Sequence, residues 1–186
     1  FDAGKARAMR GGEQVLALDG GVAVVATNTW YAMQAAAAIE IQWQRADYPQ
    51  STEQMFAKVA EAFDDDFRDS RNRDDGDVDA ALAHAQVLQA EYRAPYLAHA
   101  TMEPMNATAL FDGDTLELWS PNQGPFIQAR AAAEAAGIDA ANVTVHTTFL
   151  GGGFGRRIES DYASVAARVA RAMPGTPVNV TWSREE

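Results

Sequence analysis

The sequence of 186 residues contains no cysteine, and this absence excludes several kinds of site from the chain. Without thiols the chain cannot form disulfides, thiolate zinc sites, iron–sulfur clusters or a cysteine nucleophile. A chain without thiols is compatible with either an oxidising or a reducing compartment.

Basic residues are also scarce, because 15 Lys and Arg stand against 26 Asp and Glu, giving a net charge of −11. Binding to nucleic acid or to an anionic membrane surface needs clustered positive charge, so we expect neither partner. No apolar run approaches the ~20 residues of a membrane-spanning helix, so we expect no membrane insertion by this segment. The sequence begins with Phe1 rather than Met, and we expect it to be a piece of a longer polypeptide.

The hydrophobic fraction of 47% is sufficient for a folded core, and the pattern predicts an α+β fold with mixed strands and helices. Residues 1–45 are predicted to form a β-β-α-β unit, with strands near 14–18, 22–26 and 39–43 and a helix over 30–38 that Asn28 or Thr29 caps. Residues 46–90 are predicted as a linker with a helix that begins at Ser51, a short helix over 78–84 and a strand over 87–92. Nine acidic residues and three arginines lie between residues 61 and 80, which predicts an acidic, mobile loop there.

Residues 91–186 alternate between strand and helix patterns, which is typical of an α/β region. A hairpin is predicted around Asp112-Gly113-Asp114, because Asp-Gly pairs favour tight turns. The remaining predicted elements are a helix over 123–136 that Gly137 ends, a strand over 142–148, a helix over 160–173 and a strand over 178–182.

A glycine loop, Gly151 to Gly155, follows a predicted strand and precedes a predicted helix. Glycines allow the backbone to approach a ligand closely, and successive N–H groups can converge into an anion-binding nest. Arg156 and Arg157 beside the loop favour an anion or a strongly polar cofactor. The dinucleotide and P-loop fingerprints do not fit these residues. From the residues alone, a ligand loop and a structural turn both remain open.

Two further segments carry polar groups that could take part in chemistry. Gln123 lies where a strand ends and a helix begins, and its amide suits an oxo or amide partner; alternatively, Asn122 or Ser120 only caps the helix. His99 and Glu103 could act as acid–base groups or could be structural. No H-E-x-x-H zinc motif and no G-x-S-x-G nucleophile motif occurs, and we expect no direct metal ligand in this chain.

Together these segments resemble the molybdenum-binding large subunit of the xanthine dehydrogenase/aldehyde oxidase family, and most closely its isoquinoline 1-oxidoreductase beta branch. The resemblance is carried by EYRAPYLAHATMEPMNATA, LELWSPNQGPF, GGGFGRR and PVNVTWSREE, in this order across residues 91–186. Residues 1–45 resemble the end of the domain that precedes the cofactor region, and residues 91–186 resemble the first part of the molybdopterin-binding domain.

The resemblance implies a molybdopterin cofactor containing molybdenum, with the cytosine dinucleotide form as one option. In this family the glutamine equivalent to Gln123 approaches an oxygen on molybdenum. Backbone amides equivalent to those of Gly152, Gly153, Phe154 and Gly155 hold the metal–dithiolene end.

The implied reaction is hydroxylation of an N-heterocycle (isoquinoline-like) or an aldehyde, with water as the oxygen source. The electrons would pass to a small iron–sulfur partner subunit, because this chain has no cysteine to hold the clusters. The family's general base is expected outside this piece, so we expect no catalytic residue here and no activity of the fragment alone. The bacterial cytoplasm and the periplasm both suit such a subunit.

The sequence departs from the xanthine dehydrogenase branch after the glycine loop. That branch usually carries Gly-Lys-Glu there, whereas this chain has Arg156, Arg157 and Ile158, with an acid only at Glu159. A substrate-contacting carboxylate is therefore not expected at the usual position. Two other functions remain open: a stand-alone phosphate or small-molecule binding module that uses the Gly151–Gly155 loop, and an acidic interaction domain without a ligand.

Overall fold

The computed structural model describes residues 1–63, 73 and 75–184. Within these residues the chain forms six α-helices and six β-strands, which confirms the predicted α+β class. The helices are α1 (Gly4–Arg7), α2 (Thr29–Ala37), α3 (Thr52–Glu61), α4 (Val78–Ala83), α5 (Pro125–Ala136) and α6 (Asp161–Ala172). The strands are β1 (Gly12–Leu18), β2 (Gly21–Ala26), β3 (Asn106–Asp112), β4 (Thr115–Ser120), β5 (Val143–Thr147) and β6 (Val178–Thr181).

Side-chain caps and one glycine set several helix ends where the sequence predicts them. Asn28 accepts a hydrogen bond from the Tyr31 N–H at the start of α2, and Ser51 accepts one from the Gln54 N–H at the start of α3. Both bonds satisfy donors that a helix leaves open in its first turn. α5 ends at Gly137, whose φ of 67° is left-handed and therefore suits a residue without a Cβ.

Contacts divide the chain into two compact units, residues 1–42 with 99–186, and residues 43–98. The first unit is built on a four-stranded sheet in the order β5-β4-β3-β6. β4 and β5 run parallel, whereas β3 is antiparallel to β4 and β6. Alternate residues of β3 and β4 are buried, as expected for strands with one face on a core.

The core of the first unit lies between the sheet and the two helices α5 and α6. Alanines on the buried faces of these helices let them approach each other and the sheet closely. Leu16, Ala23 and Val25 of the β1–β2 hairpin pack against the same core. The buried core residues are Met105, Ala107, Ala109, Phe111, Leu116, Leu118, Ala132, Ala136, Tyr162, Ala163, Ala166, Ala167, Val169, Ala170 and Val178.

Two predicted strands are not formed. In place of a strand over 39–43, Glu40 makes a single bridge with Asp2. The stretch 87–92 forms no ladder, and Leu88 and Tyr92 are almost fully exposed. In both stretches the side-chain pattern suits a strand, but a strand also needs a partner for its backbone groups. The predicted acidic loop falls largely outside the described residues.

We predict that Leu116→Ala destabilises the chain by about 2–5 kcal/mol, because it leaves a cavity in the core. Leu116 is 1% exposed and lies on β4, an inner strand of the sheet. Leu88→Ala is the matched control, since this leucine is 96% exposed; its effect should stay within about 0.5 kcal/mol. Urea unfolding measures the free energy of unfolding of each variant. Equal losses in the two variants would contradict the placement of Leu116 in the core.

Candidate functional site

The sheet topology brings the three polar segments of the sequence to one edge. β4 and β5 are parallel, so their carboxyl ends, Ser120 and Thr147, lie side by side. β3 is antiparallel to β4, and its first residue, Asn106, therefore lies at the same edge. The segments that continue from these ends are 99–105, 121–124 and 148–157. Ligand sites of α/β proteins lie at this kind of edge.

The glycine loop is an irregular turn held at both ends by side chains of the other two segments. At its start, the Gly151 N–H donates to Glu103 Oε2 at 2.7 Å, and the Glu103 N–H donates to the Gly151 carbonyl at 3.1 Å. At its end, the Gly155 N–H donates to Gln123 Oε1 at 3.0 Å. The loop is therefore fixed next to Gln123, as the sequence predicts for a shared site.

Three consecutive backbone donors in the middle of the loop are not paired with any described residue. In the part of the chain that the structure describes, the N–H groups of Gly152, Gly153 and Phe154 make no hydrogen bond. The φ angles of Gly152 (101°) and Phe154 (52°) are both left-handed. Gly153 between them is not in the positive-φ region, and such alternation is typical of a nest, in which successive N–H groups can bind one anion.

Gln123 presents a fourth donor beside the loop. Its Oε1 accepts from a backbone N–H, so the other end of the amide must be the NH2 group. This Nε2 makes no hydrogen bond among the described residues, and the side chain is exposed. The backbone of Gln123 is fixed as well, because its N–H donates to the Arg157 carbonyl at 3.1 Å.

Gly153 packs directly against the Gln123 side chain. A Cβ on Gly153 would lie 2.4 Å from Gln123 Oε1 and 2.7 Å from Cδ. Glycine is therefore required here for a close approach, and any other residue would displace the amide.

Neither arginine beside the loop is directed towards an anion, contrary to the prediction. Arg157 is completely buried, and its guanidinium donates to main-chain carbonyls and to Glu103. Arg156 forms two hydrogen bonds with Asp161, at 2.9 and 2.8 Å, which raise the pKa of its guanidinium. Both guanidiniums therefore bind groups of this chain, and the donors left open at the loop are backbone and amide groups among the described residues.

Glu103 has a structural role in this geometry. One carboxylate oxygen accepts from the Gly151 N–H and from Arg157, and the other accepts from Asn106 Nδ2 at 2.9 Å. These bonds leave it poorly suited to the acid–base role that the sequence left open. His99 lies nearby, with its ring 4.0 Å from the position of a Cβ on Gly155.

Asn122 fixes the turn between β4 and α5 and does not cap the helix. The residue before α5 is Gly124, which provides no side-chain cap. Asn122 Oδ1 accepts from the Gly124 N–H at 3.1 Å, and its Nδ2 donates to Ser120 O at 3.1 Å and to Thr147 Oγ1 at 3.2 Å. It therefore joins the ends of the two parallel strands and orients the following Gln123.

Gln128 and Tyr162 support this turn from the core, and the sequence analysis missed both. The Tyr162 hydroxyl donates to the Pro121 carbonyl at 2.9 Å and accepts from Gln128 Nε2 at 3.2 Å. Burial raises the pKa of Tyr162, and the nearby Arg157 guanidinium partly opposes this shift. In a helix pattern such residues look like ordinary core positions, so only their tertiary partners identify them.

The described residues contain no group of three or more His, Asp or Glu side chains that could hold a metal ion. None of the described helices has the length and hydropathy needed to span a membrane.

Comparisons with known proteins point to one family. The family described as the molybdopterin cofactor-binding domain matches residues 59–186. The isoquinoline 1-oxidoreductase subunit beta of Brevundimonas diminuta is 32% identical over 197 residues, which span 100% of this chain and 25% of that protein. The aldehyde oxidoreductase molybdenum-binding subunit of Escherichia coli (strain K12) is 35% identical over 119 residues, spanning 62% of this chain and 16% of that protein.

A solved structure shows the same fold. The crystal structure of quinoline 2-oxidoreductase from Pseudomonas putida 86 matches with a TM-score of 0.71 at 22% identity, over 99% of this chain and 29% of that one. The chain spans a quarter or less of the length of the two relatives above.

We predict that Gly153→Ala displaces the Gln123 amide and releases the Gly155 N–H. The added Cβ meets the flexible end of a side chain, so the loss of stability should be that of about one hydrogen bond, 0.5–1.5 kcal/mol. Hydrogen exchange of peptides covering 151–157 should accelerate. Gly21→Ala is the control, because a Cβ there meets nothing within 4 Å. Unchanged exchange in Gly153→Ala would contradict the close packing.

We predict that Tyr162 makes stability fall at high pH. Burial raises the pKa of the folded phenol above its ordinary 10.0, so the folded protein holds this proton more tightly than the unfolded chain does. The contribution is fully present below the unfolded pKa and is lost as the pH rises through the folded pKa. Urea unfolding between about pH 8 and about pH 11 should show a smaller decline for Tyr162→Phe than for wild type. A parallel decline in both proteins would refute the assignment.

Proposed function

Because the chain belongs to the molybdopterin cofactor-binding domain family, we propose that Gln123 and the loop Gly152–Gly155 hold the metal end of a molybdopterin cofactor. The observation that carries this proposal is a set of donors without partners among the described residues: the N–H groups of Gly152, Gly153 and Phe154 and the NH2 group of Gln123. Gly155 contributes through Gln123, because its N–H holds the amide oxygen.

The residues present fit such a group. An oxo-bearing metal centre with dithiolene and phosphate groups is rich in acceptors, and this site offers donors. Gly153 also lets the Gln123 amide lie against the loop, because a Cβ there would displace it. The cofactor would supply the two-electron redox chemistry and the activated oxygen. The chain's own residues would bind and orient it, with Gln123 donating from Nε2 to an oxygen of the centre.

For the whole protein we propose a hydroxylase that acts on an N-heterocycle (isoquinoline-like) or an aldehyde, with water as the oxygen source. The names of the two relatives, an isoquinoline 1-oxidoreductase subunit and an aldehyde oxidoreductase subunit, support these two substrate classes. We further propose the cytosine dinucleotide form of the cofactor and a small iron–sulfur partner subunit. The 186 residues contain no cysteine, so cluster ligands would come from elsewhere.

The catalytic general base is proposed to lie outside these residues, and the fragment alone to be inactive. The division into residues 1–45, 46–90 and 91–186 also remains a proposal. A stand-alone phosphate-binding module is not favoured, because the family match includes the loop and both neighbouring arginines bind within the chain.

The test is molybdenum analysis and turnover of the full-length subunit purified with its partner. Wild type should contain molybdenum close to one per protomer. Gln123→Ala should lower kcat about 10- to 100-fold, because a hydrogen bond to a charged group contributes about 1.5–3 kcal/mol. Gln34→Ala, at an exposed position of α2, is the matched control and should keep wild-type turnover.

Absence of molybdenum from the wild-type complex would overturn the proposed function. Molybdenum present with unaltered turnover in Gln123→Ala would remove Gln123 from the site and leave the family function in place.

A further inference from the structure

One fully buried cation connects all three segments of the site. Arg157 is 0% exposed, and its side chain lies where the segments 99–105, 121–124 and 148–157 meet. A guanidinium is costly to remove from water, so its partners have to be numerous and well placed.

The guanidinium of Arg157 donates hydrogen bonds to five acceptors. Nε donates to the Gly152 carbonyl at 2.8 Å, and Nη1 donates to the Pro121 carbonyl at 3.3 Å. Nη2 donates to the Glu103 carbonyl at 3.0 Å, to Glu103 Oε2 at 2.9 Å and to the Pro104 carbonyl at 3.3 Å. The planar fork of arginine can reach these directions together, whereas a lysine ammonium has three donors at one point.

These bonds determine which backbone groups of the loop remain free. The Gly152 carbonyl is held inward on Arg157, and Glu103 Oε2 holds the Gly151 N–H. Glycine peptides rotate at little steric cost, so this loop would otherwise sample many orientations. Fixing these two groups restricts the orientations that the N–H groups of Gly152, Gly153 and Phe154 can adopt.

Arg157 also holds the segment that carries Gln123. The main-chain carbonyl of Arg157 accepts the Gln123 N–H, while the side chain of Arg157 holds the Pro121 carbonyl two residues earlier. A side-chain change at residue 157 therefore releases both the Gly152 carbonyl of the loop and the Pro121 carbonyl of the turn that carries Gln123.

We infer that Arg157 and Glu103 form a positioning pair that presets the glycine loop and Gln123 before a cofactor binds. This inference rests on the proposed function, because the preset arrangement serves binding only if the loop and Gln123 hold the cofactor. The pair acts by holding the Gly151 N–H, the Gly152 carbonyl and the Gln123 N–H.

The first experiment measures the preset arrangement without any cofactor. The full-length subunit is produced in a host that makes no molybdopterin, and hydrogen exchange is followed in peptides covering 149–158. Arg157→Lys should accelerate exchange of the protected Gly151 and Gly155 amides about tenfold. Glu103→Gln keeps the size of the side chain and should also accelerate hydrogen exchange in these peptides. It provides the test if Arg157→Lys fails to fold.

Two controls separate positioning from general destabilisation. Arg156→Lys changes a neighbouring arginine whose guanidinium binds Asp161 and not the loop, so loop exchange should stay at the wild-type rate. Leu116→Ala lowers stability through the core, and at a matched temperature below Tm it should leave the loop protected. Loop exchange unchanged in both pair variants, or accelerated equally by Leu116→Ala, would overturn the inference.

The second experiment measures molybdenum in the complex from a host that makes the cofactor. Arg157→Lys and Glu103→Gln should retain at most about a tenth of the wild-type metal, whereas Arg156→Lys and Leu116→Ala should retain most of it. Wild-type metal content in the pair variants would overturn the role of the pair in binding. A wild-type complex without metal would instead refute the proposed function, and the exchange result would still decide whether the pair presets the loop.

Discussion

The buried guanidinium of Arg157 is the interaction on which the candidate site depends. A charged group without water requires acceptors on every side, and here they come from carbonyls of three separate segments and from Glu103. The cost of burying this charge is thus offset only when the three segments are together. This coupling makes the loop, the turn before α5 and the segment before β3 a single structural unit, although 54 residues separate Glu103 and Arg157 along the chain.

The sheet places these segments within reach of one another. The parallel pair β4–β5 ends at Ser120 and Thr147, and Asn122 joins the two ends through its side-chain amide. The antiparallel β3 starts at the same edge, which brings Glu103 close to the loop. The topology thus determines the location of the site, whereas buried polar contacts determine its shape.

Local signals in the sequence were sufficient for much of the fold and for identifying the segments that meet at one edge of the sheet. Caps at Asn28 and Ser51, the Asp-Gly turn and the stop at Gly137 each act within a few residues, and the structure confirms them. The strands expected at 39–43 and 87–92 failed because pairing depends on distant backbone groups that a local pattern does not contain. The arginines were misjudged for the same reason: a cation next to a glycine loop suggests an anion site, but burial of Arg157 depends on tertiary contacts.

The loop combines backbone N–H groups that have no partner among the described residues with a non-glycine residue at positive φ. Gly153 is a buried residue, and its N–H has no hydrogen-bond partner among the described residues. Phe154 adopts a left-handed φ of 52°, which is unfavourable for a residue with a Cβ, and its side chain is 71% exposed. Backbone strain persists where the surrounding structure enforces it, and in proteins such strain clusters at functional sites. A ligand rich in acceptors would satisfy these donors, so the unpaired N–H groups support the proposed binding of such a group.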